Sequence, residues 1–206
     1  CVLFNGDGHD YAATLVESGK RDARVRIDAA QALDNESPLS ITLLQGIARG
    51  EKMDLILQKA TELGVARIVP VFAERTEVRL DGERLLKRSA HWHSVVVSAC
   101  EQSWRTRLPQ LDPASELSSA VVGSEASLRL LLDPEGEHAL ATMQAPIDAR
   151  LVVAIGPEGG WSPRDRDVLQ AAGFTGLRLG PRILRTETAG LAAIAALQAR
   201  FGDLGT

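Results

Sequence analysis

Cysteine is scarce in this chain: 206 residues carry two, Cys1 and Cys100, and the second falls inside a helical pattern. That excludes a disulfide framework and points to a reducing compartment. No apolar run reaches the length that crosses a bilayer and no signal-peptide pattern opens the chain, so a cytoplasmic location without a membrane partner is expected. There is no internal repeat and no low-complexity segment. An excess of positive charge is also missing: 23 Lys and Arg stand against 27 Asp and Glu, a net charge of -4. This excludes a protein that coats nucleic acid by bulk electrostatics, but leaves room for a local basic site. The four histidines do not make a metal set, because His91 and His93 lie two apart on a helix and so on different faces. No initiator methionine is present, and Val2-Leu3-Phe4 read as a strand already under way, the expectation for a truncated or proteolysed product.

What remains is the mix of an ordinary globular protein, 45% hydrophobic and 24% charged. Its length suits one good-sized domain, or one domain and a small appendage, with a real core. Residues 1–30 alternate strand and turn: Val2–Phe4, the turn Asn5-Gly6-Asp7-Gly8, Tyr11–Val16, a turn at Lys20–Asp22, then Ala23–Ile27. In the last strand Val25 and Ile27 share one face and Arg24 and Arg26 the other. Three such strands close a core poorly and read as an incomplete small β-barrel. Gln31–Pro38 is the natural linker.

From residue 37 to 206 the pattern becomes α/β. Strands are expected at Leu39–Gln45, Ala66–Phe72, Leu128–Leu132, Leu151–Ile155 and Leu177–Leu179. Helices are expected at Lys52–Leu63, Asp81 to about Arg105, a short one capped by Ser162 with Pro163 first, and Glu187–Phe201. Alternation of this kind predicts a parallel sheet with helices on both faces, and ligands bind such sheets at the carboxyl ends of the strands. Three unusual loops follow strands: Asp133-Pro134, Gly156-Pro157-Glu158-Gly159-Gly160 and Gly180-Pro181-Arg182. They should lie together.

The glycine loop lets backbone approach something closely. Its spacing is neither a dinucleotide fingerprint nor a P-loop, and a bare strand-to-helix turn is the alternative. In Gly180-Pro181-Arg182-Ile183-Leu184-Arg185-Thr186-Glu187 two arginines precede a helix start with a capping-type Thr186. Cations help the other end of a helix, so this conflict hints at a functional site. The alternative is a solvated pair of Arg185 with Glu187.

The strings IGPEGGWSPRD, LGPRILRTETAGLAAIAALQ, QGIARGEKMDLILQKATELGVARIVPVFAER and ACEQSWR resemble those of the RsmE family, over roughly residues 39–205. The resemblance implies a SPOUT α/β knot with a deep C-terminal trefoil, a homodimer, and an N-terminal PUA-like RNA-binding barrel, here residues 1–36, before a methyltransferase domain of residues 37–206. It implies S-adenosylmethionine as cofactor, no metal, and small-subunit rRNA, within a 30S particle, as partner. The implied reaction is methylation of N3 of a uridine in 16S rRNA. Cofactor-binding positions carried over are Leu132, Asp133, Ile155, Gly156, Pro157, Glu158, Gly159, Gly160, Leu179, Gly180, Ile183, Leu184, Thr188 and Ala189.

N3 of uracil carries a proton, so catalysis must stabilise the deprotonated base. Arg185 is the candidate, with Arg49 or Arg105 as helpers, and Glu158 or Glu187 either accepts the proton or only braces an arginine, bracing being favoured for Glu187. Arg49, Lys52, Arg75 and Arg105 are the candidate RNA contacts, with Lys59 and Arg79 as further cations. Trp104 either stacks on a base or packs at its helix end. Two other functions fit less of the sequence: a SPOUT ribose 2′-O-methyltransferase, and a silent RNA-binding assembly factor.

Overall fold

The computed structural model of the chain describes residues 1–78, 80–123 and 126–205; Arg79, expected near RNA, lies outside the described residues. Chain order is β1 (Val2–Leu3), β2 (His9–Ser18), β3 (Ala23–Ala32), β4 (Ser40–Gly46), α1 (Glu51–Glu62), β5 (Arg67–Phe72), α2 (Gly82–Ser103), β6 (Gln110–Leu111), β7 (Ser115–Glu116), α3 (Leu117–Ala120), β8 (Leu128–Leu132), β9 (His138–Ala139), β10 (Arg150–Ile155), α4 (Pro163–Ala171), β11 (Thr175–Arg178) and α5 (Thr186–Phe201). The expected α/β alternation is present. The short elements β6, β7, β9 and α3, at two to four residues, escape periodicity.

β1, β2 and β3 form an antiparallel sheet; the other strands form a second sheet in the order β6-β5-β4-β10-β8-β11-β9, with β7 also on β5. Every pairing in the larger sheet is parallel. Its central strand β10 reads Leu-Val-Val-Ala-Ile from residue 151, and each of these residues is at most 2% exposed. That continuous apolar run is what a strand covered on both faces requires. Leu151, Val153 and Ile155 face one core, shared with Met53, Ile56 and Leu57 of α1, Trp92 and Val96 of α2, and Ile194 and Leu197 of α5. Val152 and Ala154 face the other, with Leu117 of α3 and Leu169 of α4. Each large side chain so buried contributes roughly 1.5–3 kcal/mol.

The N-terminal sheet differs in kind. β3 runs on to Ala32, so the linker starts later than the cluster of polar residues suggests. Leu15, Val16 and Ile27 stay half exposed or more. It is tied to the rest by Gly8 N–H donating to the Thr106 carbonyl at 3.0 Å and by an isolated antiparallel backbone pairing of Asp7 with Arg107.

Arg105 requires a correction. Expected on RNA, it is 5% exposed. Its guanidinium donates to the Glu36 carboxylate through Nε at 3.1 Å and through Nη2, and from Nη1 to the carbonyls of Thr61 at 2.8 Å and Val65 at 3.1 Å. It clamps the linker to the end of α1. A composition-level expectation that cations face solvent fails here because the planar fork meets three acceptors at once. Nearby, burial pushes the Cys100 thiol up to about 11, so it stays protonated. Lys59 pairs with Glu62 on its own helix at 2.8 Å. No helix among the described residues is long and apolar enough to cross a membrane.

Removing the Arg105 side chain strands a carboxylate and two carbonyls. Arg105→Ala should cost about 3–5 kcal/mol in urea unfolding, the scale for breaking one side of a buried pair. A loss below about 1 kcal/mol, as for an exposed cation, would contradict the clamp.

Candidate active site

The three unusual loops do meet. They rim a cleft of about 320 Å³ at the carboxyl ends of β8, β10 and β11, lined by Asp133 and Pro134, by Gly156 to Glu158 with Gly160 and Trp161, and by Gly180 and Arg182 to Glu187. Leu132, Ile155, Leu177, Leu179, Ile183, Leu184 and Ala189 supply apolar wall. The place follows from topology, since parallel strands release their loops on one edge.

Close backbone packing builds the floor. A Cβ on Gly46, at the end of β4, would sit 2.5 Å from the ring of Pro157. A Cβ on Gly190 would sit 3.0 Å from Ile155 Cδ1, so α5 presses directly on β10. Thr186 Oγ1 donates to the Gly156 carbonyl at 2.5 Å and accepts from buried Gln45 Nε2 at 3.2 Å. This corrects the expectation of a capping Thr186. Arg185 is the N-cap, without a side-chain cap bond, and Thr186 is the first helical residue. Its hydroxyl is used to join α5 to the glycine loop. The loop closes with Gly160 N–H on the Pro157 carbonyl at 2.8 Å, and Gly160 takes the left-handed φ of 67°. Ser162 then caps α4 in a capping box with Asp165.

Of the expected cofactor positions, all but two line the cleft. Gly159 is exposed and points the other way: a Cβ there would meet Arg75 Cβ at 2.9 Å, so its lack of a side chain serves packing against β5's loop. Thr188 is exposed and outside the lining. Sequence reasoning missed Trp161, Leu177 and Arg166. The first turn of a helix capped at the end of a glycine loop should face that loop's ligand, and this would have found Arg166.

Charges around the cleft are mostly paired. Arg166 bonds Asp133, whose other oxygen accepts from Glu135 N–H at 3.0 Å. Glu158 Oε1 accepts from Arg49 N–H at 3.1 Å and Lys52 Nζ at 3.2 Å. Burial alone would raise the Glu158 carboxyl, but the hydrogen bonds from Arg49, its own backbone and Lys52 outweigh it and hold the group below its usual value. Arg49 also reaches Glu77 at 2.7 Å, and Arg75 donates to the Gly159 carbonyl at 3.1 Å. Three expected RNA-facing cations, Arg49, Lys52 and Arg75, thus gather beside one loop; Arg105 does not join them.

Three charged groups are left over. Arg182 and Arg185 are exposed at the rim and, among the described residues, neither has a carboxylate partner. The solvated pair of Arg185 with Glu187 is not formed. Glu187 keeps Oε2 buried without any partner, as does the indole Nε1 of Trp161. Unmatched polar atoms of this kind at a cleft are what a ligand would satisfy.

The model of the RNA methyltransferase domain matches residues 35–198. Ribosomal RNA small subunit methyltransferase E of Buchnera aphidicola is 34% identical over 203 residues, spanning 98% of this chain and 82% of that protein. The Bacillus subtilis protein of the same name is 31% identical over 95% of this chain and 80% of its own. The chain belongs to the RsmE family. Its fold is the SPOUT α/β arrangement of solved RsmE structures. The Neisseria gonorrhoeae RsmE bound to S-adenosyl methionine superposes with a TM-score of 0.90 at 41% identity, covering 98% of this chain and 84% of that one. A Legionella pneumophila protein in complex with bound SAM superposes at 0.94, with 38% identity over 98% and 84%.

In this RsmE-family chain the lowered Glu158 contributes stability above the carboxylate's ordinary pKa and loses it as pH falls through the depressed folded value. Unfolding measured from about pH 5 down to pH 3 should therefore show a steeper loss for the parent than for Glu158→Gln. Parallel curves would remove Glu158 from the network.

Proposed function

We propose that this chain transfers a methyl group from S-adenosylmethionine to N3 of a uridine in 16S rRNA. The observation that carries the reading is the unpaired Arg185 at the mouth of a partly apolar cleft whose floor holds an unsatisfied Glu187 oxygen. The relatives' names supply the methyl transfer and the small-subunit rRNA, and two similar structures were solved with the cofactor bound.

The residues fit that cofactor. Leu132, Ile155, Leu179 and Leu184 offer apolar surface for an adenine, with the backbone of Gly156, Pro157, Gly160 and Gly180 for its polar edge. Asp133, Glu158, Ile183 and Ala189 complete the wall, and the Trp161 N–H and Glu187 Oε2 are free to bond a ligand. When bound, S-adenosylmethionine supplies an activated methyl, and no metal is required. Gly159 and Thr188 stand outside the cleft's lining.

Arg185 acts on the uracil. Its guanidinium, free of any carboxylate among the described residues, stabilises the charge that spreads over N3 and the carbonyl oxygens as the proton leaves. Glu187 does not brace Arg185, which leaves its open oxygen to accept a proton or a ligand N–H. Arg49, Lys52 and Arg75 hold the RNA backbone beside the glycine loop, and the target base leaves its stack to enter. The division into a PUA-like unit of residues 1–36 and a SPOUT unit of residues 37–206, and the deep trefoil, belong to the same proposal. So does a homodimer through α5, whose Leu191, Ala192, Ala195, Ala196 and Ala199 are exposed or only half-buried.

Arg185→Ala should slow single-turnover methylation of 30S particles about a hundredfold while cofactor affinity by calorimetry changes little. Arg185→Lys should recover part of the rate, and raising the pH should partly rescue the alanine variant by deprotonating the uridine. Cofactor affinity falling in step with rate, with no pH rescue, would reassign Arg185 to cofactor binding. Light scattering at micromolar concentration should give a mass near twice 22.1 kDa; a fully active monomer would exclude a site shared across a dimer.

A further inference from the structure

Trp104 combines two costs. It ends α2 in the left-handed conformation, φ 62° and ψ 23°, which bulky side chains rarely adopt. Its side chain is 73% exposed, while Trp92 and Trp161 are buried. The backbone is fixed at both ends: its N–H donates to the Cys100 carbonyl, and its carbonyl accepts from Asn35 Nδ2 at 2.5 Å. Helices commonly end on a left-handed residue, but a bulky one costs free energy there, so an exposed tryptophan held in that conformation is a candidate site.

Beside the indole lies a groove of about 540 Å³ with Leu3, Phe4 and Leu108 on its floor. Two carboxylates, Asp10 and Glu101, line it, and neither is bonded or ion-paired among the described residues. Outside the groove's lining, Arg107 is exposed, has no carboxylate partner among the described residues, and its guanidinium rests over Gly8: a Cβ there would sit 2.7 Å from Arg107 Cζ. An aromatic plane with acceptor-only carboxylates lining the same groove matches two parts of a nucleotide, the base and its donor edge.

We propose that Trp104 is a stacking platform for an unpaired RNA base with a donor edge, guanine above all, whose N1–H and N2 amine together suit one carboxylate of Asp10 or Glu101. Uracil is disfavoured there, because carbonyl oxygens flank its single N–H. The site is separate from the methyl-transfer cleft, holds flanking rRNA rather than the target, and rests on the RNA-substrate reading above.

The test uses the whole chain without cofactor and two single-stranded hexamers, one alternating guanosine and adenosine, the other all uridine. The purine hexamer should quench the exposed tryptophan's fluorescence and bind at least about tenfold more tightly than hexauridylate, a gap set by stacking and edge matching. Trp104→Gly should lose about tenfold or more of that affinity yet raise the melting temperature, since glycine occupies the left-handed region freely. Trp104→Phe should keep most of the binding, and Glu101→Gln should narrow the purine preference. Unchanged binding by Trp104→Gly overturns the proposal. So does a lower melting temperature accompanied by a change in oligomeric mass, which would mean that another protein surface covers the indole. Calorimetry with S-adenosylmethionine on the same samples keeps the two readings apart: a parent that binds purine RNA but no cofactor refutes the methyltransferase reading and leaves the platform standing.

Discussion

The site depends on one close approach: the first turn of α5 against the loop that leaves β10. Three glycines, Gly46, Gly156 and Gly190, leave no side chain where β4, the loop and α5 converge. Thr186 then joins all three, bonding the Gly156 carbonyl and receiving the Gln45 amide. Buried polar groups cost free energy unless matched, so this small network holds the loop in one geometry. The glycine loop and the start of α5, two walls of the cleft, hang from it. Arg185 sits one residue before the anchored threonine and Glu187 one residue after, which places both at the rim and floor of the same space.

Around that anchor, charge is distributed unevenly. Asp133 and Glu158 are satisfied by Arg166, Lys52 and the Arg49 backbone, and these pairs brace the walls. Among the described residues, Arg182, Arg185 and one oxygen of Glu187 are left open. A chain selected only for stability would pair them or replace them, since a buried unpartnered carboxylate oxygen costs more than an apolar side chain there. Function is the economical account of the exception, and Trp104 poses the same kind of exception on a different surface. Arg105 shows the opposite case, a cation spent wholly on holding the linker to α1.

Much of the fold was legible from pattern. The apolar runs at 128–132 and 151–155 fall on β8 and β10, and the capping signal Ser162-Pro163 marks the start of α4. The three glycine- and proline-bearing loops pointed to a single edge of the sheet, and they meet there. Two-residue strands were not legible, because a period of two needs more than one cycle to register. Nor was the reach of β3 to Ala32, whose pairing with His9 comes from the partner strand and not from its own residues.

The sequence by itself determined which segments are strands and helices, which loops are special, and that Arg185 stands at a helix start where a cation is out of place. Local propensity and periodicity suffice for those. Only the tertiary structure decided what each polar residue meets. Gly159 and Gly156 look alike in the chain, yet one opposes Arg75 and the other rims the cleft. Arg105 and Arg75 look alike as cations, yet one is sealed against Glu36 and the other is exposed beside the glycine loop. Such differences arise from contacts between residues tens of positions apart, and sequence-local pattern carries no information about them.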